Sequence, residues 1–186
     1  MEEEWVPDQE SCPGEYGYGC AEESMHETGY EQGGGGGCFS GQTHVAAERA
    51  GLPISRVKAG DVVWGYDPIE RIRKQQRVLK VWRSRQKPIL SLSVGPEEIA
   101  CTAGQEFFTG VWTPAARLRK EDQVMRGDGG WQRISADPRP AGRADIWNLQ
   151  VAPSKTYFVG RSELLVHNKS SREASGEWPW DDDEWE

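Results

Sequence analysis

The sequence predicts a single all-β domain set between two acidic segments, and three observations carry this. Apolar residues recur with a period of two in short runs bounded by Gly, Pro and Asp; no stretch sustains helical spacing for a dozen residues; and one motif occurs twice. "RVKAGDVV" at 56–63 and "RLRKEDQV" at 117–124 share an Arg, an apolar residue, a base, an Asp and a final Val at an offset of 61. Such an echo implies two related halves folded about a pseudo-two-fold axis.

Taken in chain order, residues 1–37 carry ten acids and no base, and residues 169–186 carry seven acids and two bases. Both segments are rich in Glu and Gly and short of branched apolar residues, so neither can bury enough surface to offset its ordering entropy. They are expected to be a disordered Gly-rich arm and a disordered Trp-rich tail. Between them, residues 38–168 hold 20 bases and 13 acids, so the formal charge of −8 is two acidic ends around a basic middle. The bases are scattered, and the one dense run, "RIRKQQR" at 71–77, reads as a solvated face. No nucleic-acid partner is expected; a basic protein partner for the acidic ends is the more natural expectation.

Within the middle segment the predicted strands are "VLKVW" from 78, "ILSLSV" from 89, "EIACTA" from 98, "IWNLQV" from 146, "TYFVG" from 156 and "LLVH" from 164. Each copy of the repeat follows a proline-marked turn, Pro53 and Pro114, and its aspartate, Asp61 or Asp122, reads as a turn-former. Cys101 reads as a small buried hydrophobe on its strand. His44 reads as an exposed strand position with some capacity as a proton donor. Trp178, Trp180 and Trp185 of the tail are candidates to dock on a groove.

The remaining composition narrows the function classes. Four cysteines, at 12, 20, 38 and 101, follow an acidic N-terminus without an apolar signal segment, so free thiols and a cytoplasmic location are expected. The histidines, His26, His44 and His167, share no ligand spacing with the cysteines, and neither a metal nor a cofactor is expected. No apolar run approaches membrane-spanning length, and a soluble monomer away from membranes is expected.

Chemistry is concentrated at the two ends of the middle segment. Five glycines, 33–37, run directly into Cys38, and the last apolar run ends in His167 and Asn168 before Lys169. The Cys38 thiol can attack the Gly37 carbonyl and convert that peptide bond to a thioester; with no side chain on Gly37, the approach is open. The Asn168 carboxamide can attack its own backbone carbonyl, closing a succinimide and releasing Lys169. Holding nucleophile and carbonyl in one frame can supply about 7–11 kcal/mol in well-oriented intramolecular reactions. His167, beside that carbonyl, is placed to polarise or protonate it, worth roughly 10²–10⁴ in rate.

Four blocks in order, "CFSGQTHV", "LPISRVKAGDVVWGYD", "EIACTAGQEFFTGVWTPAARL" and "IWNLQVAPSKTYFVGRSELLVHN", resemble the blocks of a Hint (hedgehog/intein) domain. The bacterial intein-like and pretoxin forms are the most similar. The resemblance spans residues 38–168 and implies a horseshoe of strands with an internal two-fold, its ends meeting in one site. It makes Cys38 the first nucleophile, Thr102 the residue that helps hold the scissile peptide, and His167 with Asn168 the terminal pair. Three positions depart from the pattern. Gln105 stands where the family's Thr-x-x-His block has its histidine, and it donates hydrogen bonds but no titrating proton. Lys155 precedes the aromatic pair where a histidine or acid is usual. Lys169 stands where a splicing intein needs Cys, Ser or Thr, and an amine with a pKa near 10.4 is mostly protonated.

The resemblance therefore implies a single-turnover, self-cleaving protein, not a turnover enzyme, which severs one or both of its flanking segments without joining them. The alternative is a Hint fold that has lost its chemistry and serves as a scaffold or interaction module.

Overall fold

The computed structural model describes residues 37–48 and 50–167. The expectations for residues 1–36, with Cys12, Cys20 and His26, and for residues 168–186, with Asn168, Lys169 and the tail tryptophans, lie outside the described residues. The described chain is all-β, as the alternation predicts. Its strands are β1 (Phe39–Ser40), β2 (His44–Val45), β3 (Leu52–Pro53), β4 (Val62–Asp67), β5 (Ile72–Val94), β6 (Glu97–Cys101), β7 (Glu106–Phe108), β8 (Trp112–Pro114), β9 (Gln123–Met125), β10 (Trp131–Ala152), β11 (Thr156–Val159) and β12 (Leu164–His167).

Two six-stranded sheets result, in the orders β4-β5-β6-β1-β10-β9 and β3-β2-β11-β12-β7-β8. Exchanging β1–β5 with β6–β10, and β11 with β12, turns each order into itself read backwards. The repeat seen in the sequence is thus a structural one, and its turns agree bond by bond. Pro53 and Pro114 each lead into a 3-10 turn, Ile54–Arg56 and Ala115–Arg117. Asp61 accepts from the Lys58 amide at 2.8 Å, and Asp122 accepts from the Arg119 amide at 2.8 Å. The carbonyl of Asp61 receives the Val78 amide at 2.9 Å, and that of Asp122 receives the Ile134 amide at 2.8 Å. Both aspartates are turn-formers, because a short carboxylate satisfies an amide three residues back that the turn leaves without a ladder partner.

One expectation is corrected. "VLKVW" and "ILSLSV" are not separate strands but parts of the 23-residue β5, and "IWNLQV" is the end of the 22-residue β10. The residues between the two predicted strands, 83–88, contain no Gly or Asn to turn the chain; Arg83, Ser84, Lys87 and Pro88 pair with Trp147, Ile146, Ala144 and Arg143 of β10, and the Gln86 amide donates to Asp145 Oδ1 at 3.1 Å. The left-handed Gln86, with φ of 49°, is absorbed at the register shift between Ala144 and Ile146, and Pro88, paired with Arg143, at the next shift, between Pro140 and Arg143, instead of ending the strand. The "RIRKQQR" run opens this strand, and its side chains lie mostly at the surface, with Gln76 turned inward.

The core lies where β1 meets the second sheet. Phe39, Phe107 and Tyr157 are fully buried, with Phe39 edge-on to the other two at centroid distances of 6.1 and 6.4 Å. The second sheet is tied to β4 through Thr156, whose hydroxyl donates to the Tyr66 carbonyl at 2.7 Å and accepts the Tyr66 amide at 2.9 Å. This approach needs Gly65, since a β-carbon there would lie 2.2 Å from the Thr156 carbonyl oxygen. The register then sets Thr156 directly across from His167.

If the two turns are equivalent, Asp61→Ala and Asp122→Ala will cost similar stability, about 1 kcal/mol each. Urea unfolding of the two variants measures this, and unequal losses by more than about 1 kcal/mol would contradict the equivalence.

Candidate functional site

The site is built where β1 continues backwards past Phe39. Phe39 pairs with Cys101 on β6 and with Trp147 on β10, so the first strand is inserted between them. One residue earlier the ladder changes character. The Thr102 amide donates to the Cys38 carbonyl at 2.9 Å, as an antiparallel rung should, but the Cys38 amide donates to the Thr102 hydroxyl oxygen at 3.1 Å and not to the Thr102 carbonyl. That carbonyl has turned away to receive the Gln105 amide at 3.1 Å in the turn after β6. The hydroxyl stands in for the lost carbonyl, which is why a Thr serves at this corner. The nitrogen of the Gly37–Cys38 bond is thereby held by the side chain that the sequence singles out.

Gln105 is fully buried and connects the two ends of the described chain. Its side-chain nitrogen donates to the Glu106 carbonyl at 3.0 Å and, in a long hydrogen bond of 3.4 Å, to the carbonyl of His167, the residue before Asn168. The rest of the side chain lies against Gly37, where an added β-carbon would fall within 2.6 Å of three Gln105 atoms. The Oε1 atom of Gln105 is buried without a hydrogen-bond partner among the described residues. His167 is itself buried, with Trp112 edge-on at 5.0 Å. Gly37, Cys38, Thr102, Gln105 and His167 are therefore brought together from chain positions up to 130 apart.

Burial decides the state of the thiol. It pushes Cys38 up from the ordinary 9.0 to about 11, so the sulfur is protonated at neutral pH. Burial first, and then the nearness of Cys38, push Cys101 up to about 12. Cys101 is a fully buried strand residue, in accord with its reading as a small hydrophobe.

The other singled-out residues lie apart from this cluster or at its edge. His44 is half-buried, where the sequence reading has it exposed, because its strand lies inside the second sheet between β3 and β11. Both strands of the β11–β12 hairpin separate it from β7, which follows Gln105 directly, so it does not stand in for the missing histidine. Lys155, with φ of 56°, occupies the bend before Thr156.

Three residues near the site escape the sequence reading. Tyr157 is fully buried, and burial followed by the nearness of Cys38 pushes its phenol up. Trp112 covers His167. Asn148 is buried one residue along from the Phe39↔Trp147 pair, on the Cys38 side, and its Oδ1 has no hydrogen-bond partner among the described residues. A polar side chain within the apolar run "IWNLQV" was the available signal for Asn148. Alternation alone did not say which face of "TYF" turns toward the thiol. Among the described residues, no group of three or more His, Cys, Asp or Glu side chains is placed to hold a metal ion, and no helix is long and apolar enough to cross a membrane.

No protein-family model matches the chain, and no curated protein does. Solved structures do. A bacterial intein-like domain from Clostridium thermocellum is 24% identical, with a TM-score of 0.67 over 70% of this chain and 98% of its own. A DnaB intein from Synechocystis sp. PCC 6803 is 17% identical, with a TM-score of 0.64 over 72% of this chain and 99% of its own. The gp41-1 intein is 18% identical, with a TM-score of 0.61 over 72% of this chain and the full length of its own. The chain has the Hint, or intein, fold.

A raised thiol pKa means that the folded state keeps its proton after the unfolded chain has released it. The stability tied to Cys38 and Cys101 is therefore complete below about 9 and falls as pH rises through about 11 to 12. The same shift lowers the thiolate fraction of Cys38 about 100-fold at pH 8 relative to an ordinary thiol. Iodoacetamide labelling followed by peptide mapping should show Cys38 slowed by that order in the native chain and released in urea; labelling at the rate of an unfolded thiol would contradict the burial.

Proposed function

We propose that residues 38–168 are a self-processing domain that cuts the chain at its own flanks. The substrate is the chain itself. In the upstream step the Cys38 sulfur bonds to the Gly37 carbonyl carbon, the carbon–nitrogen bond to Cys38 breaks, and the thiol proton ends on the released amine. Water then cleaves the thioester, leaving Gly37 with a carboxylate and restoring the thiol. In the downstream step the Asn168 side-chain nitrogen bonds to the Asn168 backbone carbonyl carbon, the carbon–nitrogen bond to Lys169 breaks, and a proton of the carboxamide passes to the departing Lys169 amine, leaving a succinimide at residue 168.

The observation that carries this reading is the clasp on the Gly37–Cys38 bond: Thr102 holds its nitrogen, and Gln105 lies against Gly37 while bonding to the carbonyl of His167. A fixed geometry of this kind removes the entropy cost of bringing thiol and carbonyl together. What the site lacks also shapes the outcome. Gln105 supplies no proton to the leaving amine, so the upstream step is slow, and Lys169 offers no nucleophile to receive the thioester, so the flanks are released separately and not joined.

A second reading, a Hint fold retained as a scaffold after losing its chemistry, is favoured by Gln105 and by the protonated thiol. Intact mass of the purified chain over days, with and without added thiol, separates the two. Self-processing gives fragments ending at Gly37 and at Asn168. Cys38→Ala removes the first and Asn168→Ala the second, and Thr102→Ala slows the first by about five- to ten-fold, the value of one hydrogen bond. A chain that stays whole, with Cys38→Ala indistinguishable from it, leaves only the scaffold.

A further inference from the structure

We infer that the site admits only glycine at the position before Cys38, and that the filter is the backbone of residue 105, not its side chain. The inference deepens the self-processing reading by naming the substrate class, upstream segments whose last residue is glycine, and it rests on that reading only for its meaning, not for its geometry.

The geometry is local and steric. A β-carbon on Gly37 would lie 2.3 Å from Gln105 Oε1, 2.5 Å from Gln105 Cα and 2.6 Å from Gln105 Cδ. Carbon atoms in contact prefer about 3.5–4.0 Å, so all three approaches are deep in the repulsive range. The side-chain atoms could in principle swing aside. The Cα cannot, because the main chain of residue 105 is held on both sides: its amide donates to the Thr102 carbonyl at 3.1 Å, and its carbonyl accepts the Ala115 amide at 2.7 Å. Gly37 is itself buried, and the amide that follows it, that of Cys38, is bonded to the Thr102 hydroxyl, so a shift of the residue 37 backbone away from residue 105 strains the clasp. Elsewhere the chain shows a softer kind of close glycine: at Gly41 the nearest atoms to a β-carbon are the far ring atoms of Trp147, at 2.7 and 2.9 Å, which belong to a side chain.

The filter explains why the glycine run reaches all the way to Cys38. Flexibility upstream would be served by glycines that stop a residue earlier; contact with residue 105 is what position 37 itself requires.

Amide hydrogen exchange on the full chain tests this, in the Cys38→Ala background so that no cleavage intervenes and the residue 38 amide is kept. With Gly37 that amide exchanges slowly. With Gly37→Ala it should exchange about ten-fold faster or more, whether the loss is confined to residues 37–40 or extends through the fold. The further change Gln105→Ala, which removes Oε1 and Cδ but keeps Cα, should not restore protection. Unchanged exchange in Gly37→Ala would overturn the filter altogether, and recovery on adding Gln105→Ala would overturn its assignment to the backbone. In parallel, chains with Cys38 intact and Gly or Ala at 37 report the cleaved fraction by mass. Absence of cleavage from the Gly37 chain counts against self-processing and leaves the exchange result standing.

Discussion

Every feature of the site depends on strand β1 lying between β6 and β10. A two-residue strand has little stability of its own, and this one is kept in place by a fully buried Phe39, whose ring meets Phe107 and Tyr157 of the other sheet. Burial of one aromatic side chain stabilises by about 1.5–3 kcal/mol, enough to hold the short strand in register. Once Phe39 is seated, the position of the Gly37–Cys38 bond follows from chain geometry alone. It must emerge beside Thr102, at the point where β6 stops and its carbonyl turns into the next loop.

That geometry and the chemistry of the thiol pull in opposite directions. Seating Phe39 leaves the neighbouring Cys38 half-buried, and that burial pushes its thiol up to about 11, so the proposed nucleophile is held in place but poorly ionised. For the proposed self-processing, a positioned thiol with few ionised molecules gains from proximity what it loses in thiolate, and that balance favours a slow reaction over a fast one. Gln105 acts in the same direction. It fills the space at the junction and bonds to the carbonyl of His167, contributing structure where a histidine would also contribute a proton.

The internal repeat makes the asymmetry of the site visible. The turns at Asp61 and Asp122 agree in their hydrogen bonds, and so do the approaches to them, with Ile54 donating to the Thr43 carbonyl and Ala115 to the Gln105 carbonyl. Thr43 and Gln105 therefore occupy equivalent places in the two halves. Only Gln105 faces a chain junction, because only the second half has β1 entering beside its first strand and β12 ending beside its second. The internal repeat supplies a symmetric frame, and the route of the chain ends distinguishes one of two equivalent corners from the other.

Much of this was legible in the amino-acid order. Period-two alternation, the repeat at an offset of 61 and the two turn-forming aspartates are local or pairwise properties, and they survive into the structure; which chemical groups stand at Cys38, His167 and Gln105 is likewise a local property. The continuity of β5 was not legible, because nothing in residues 83–87 announces that β10 will pair with them. Nor were the half-buried thiol of Cys38, the Thr102 hydroxyl taking the place of its own carbonyl, or the collision that reserves position 37 for glycine. Those arise from contacts between residues some 60 or more apart, such as Cys38 with Thr102 and Gln105 with His167. The sequence by itself determined which groups were available and which proton donor was absent; the tertiary structure decided which of them touch, because distance across a sheet is set by register and strand order and by no property of any one segment.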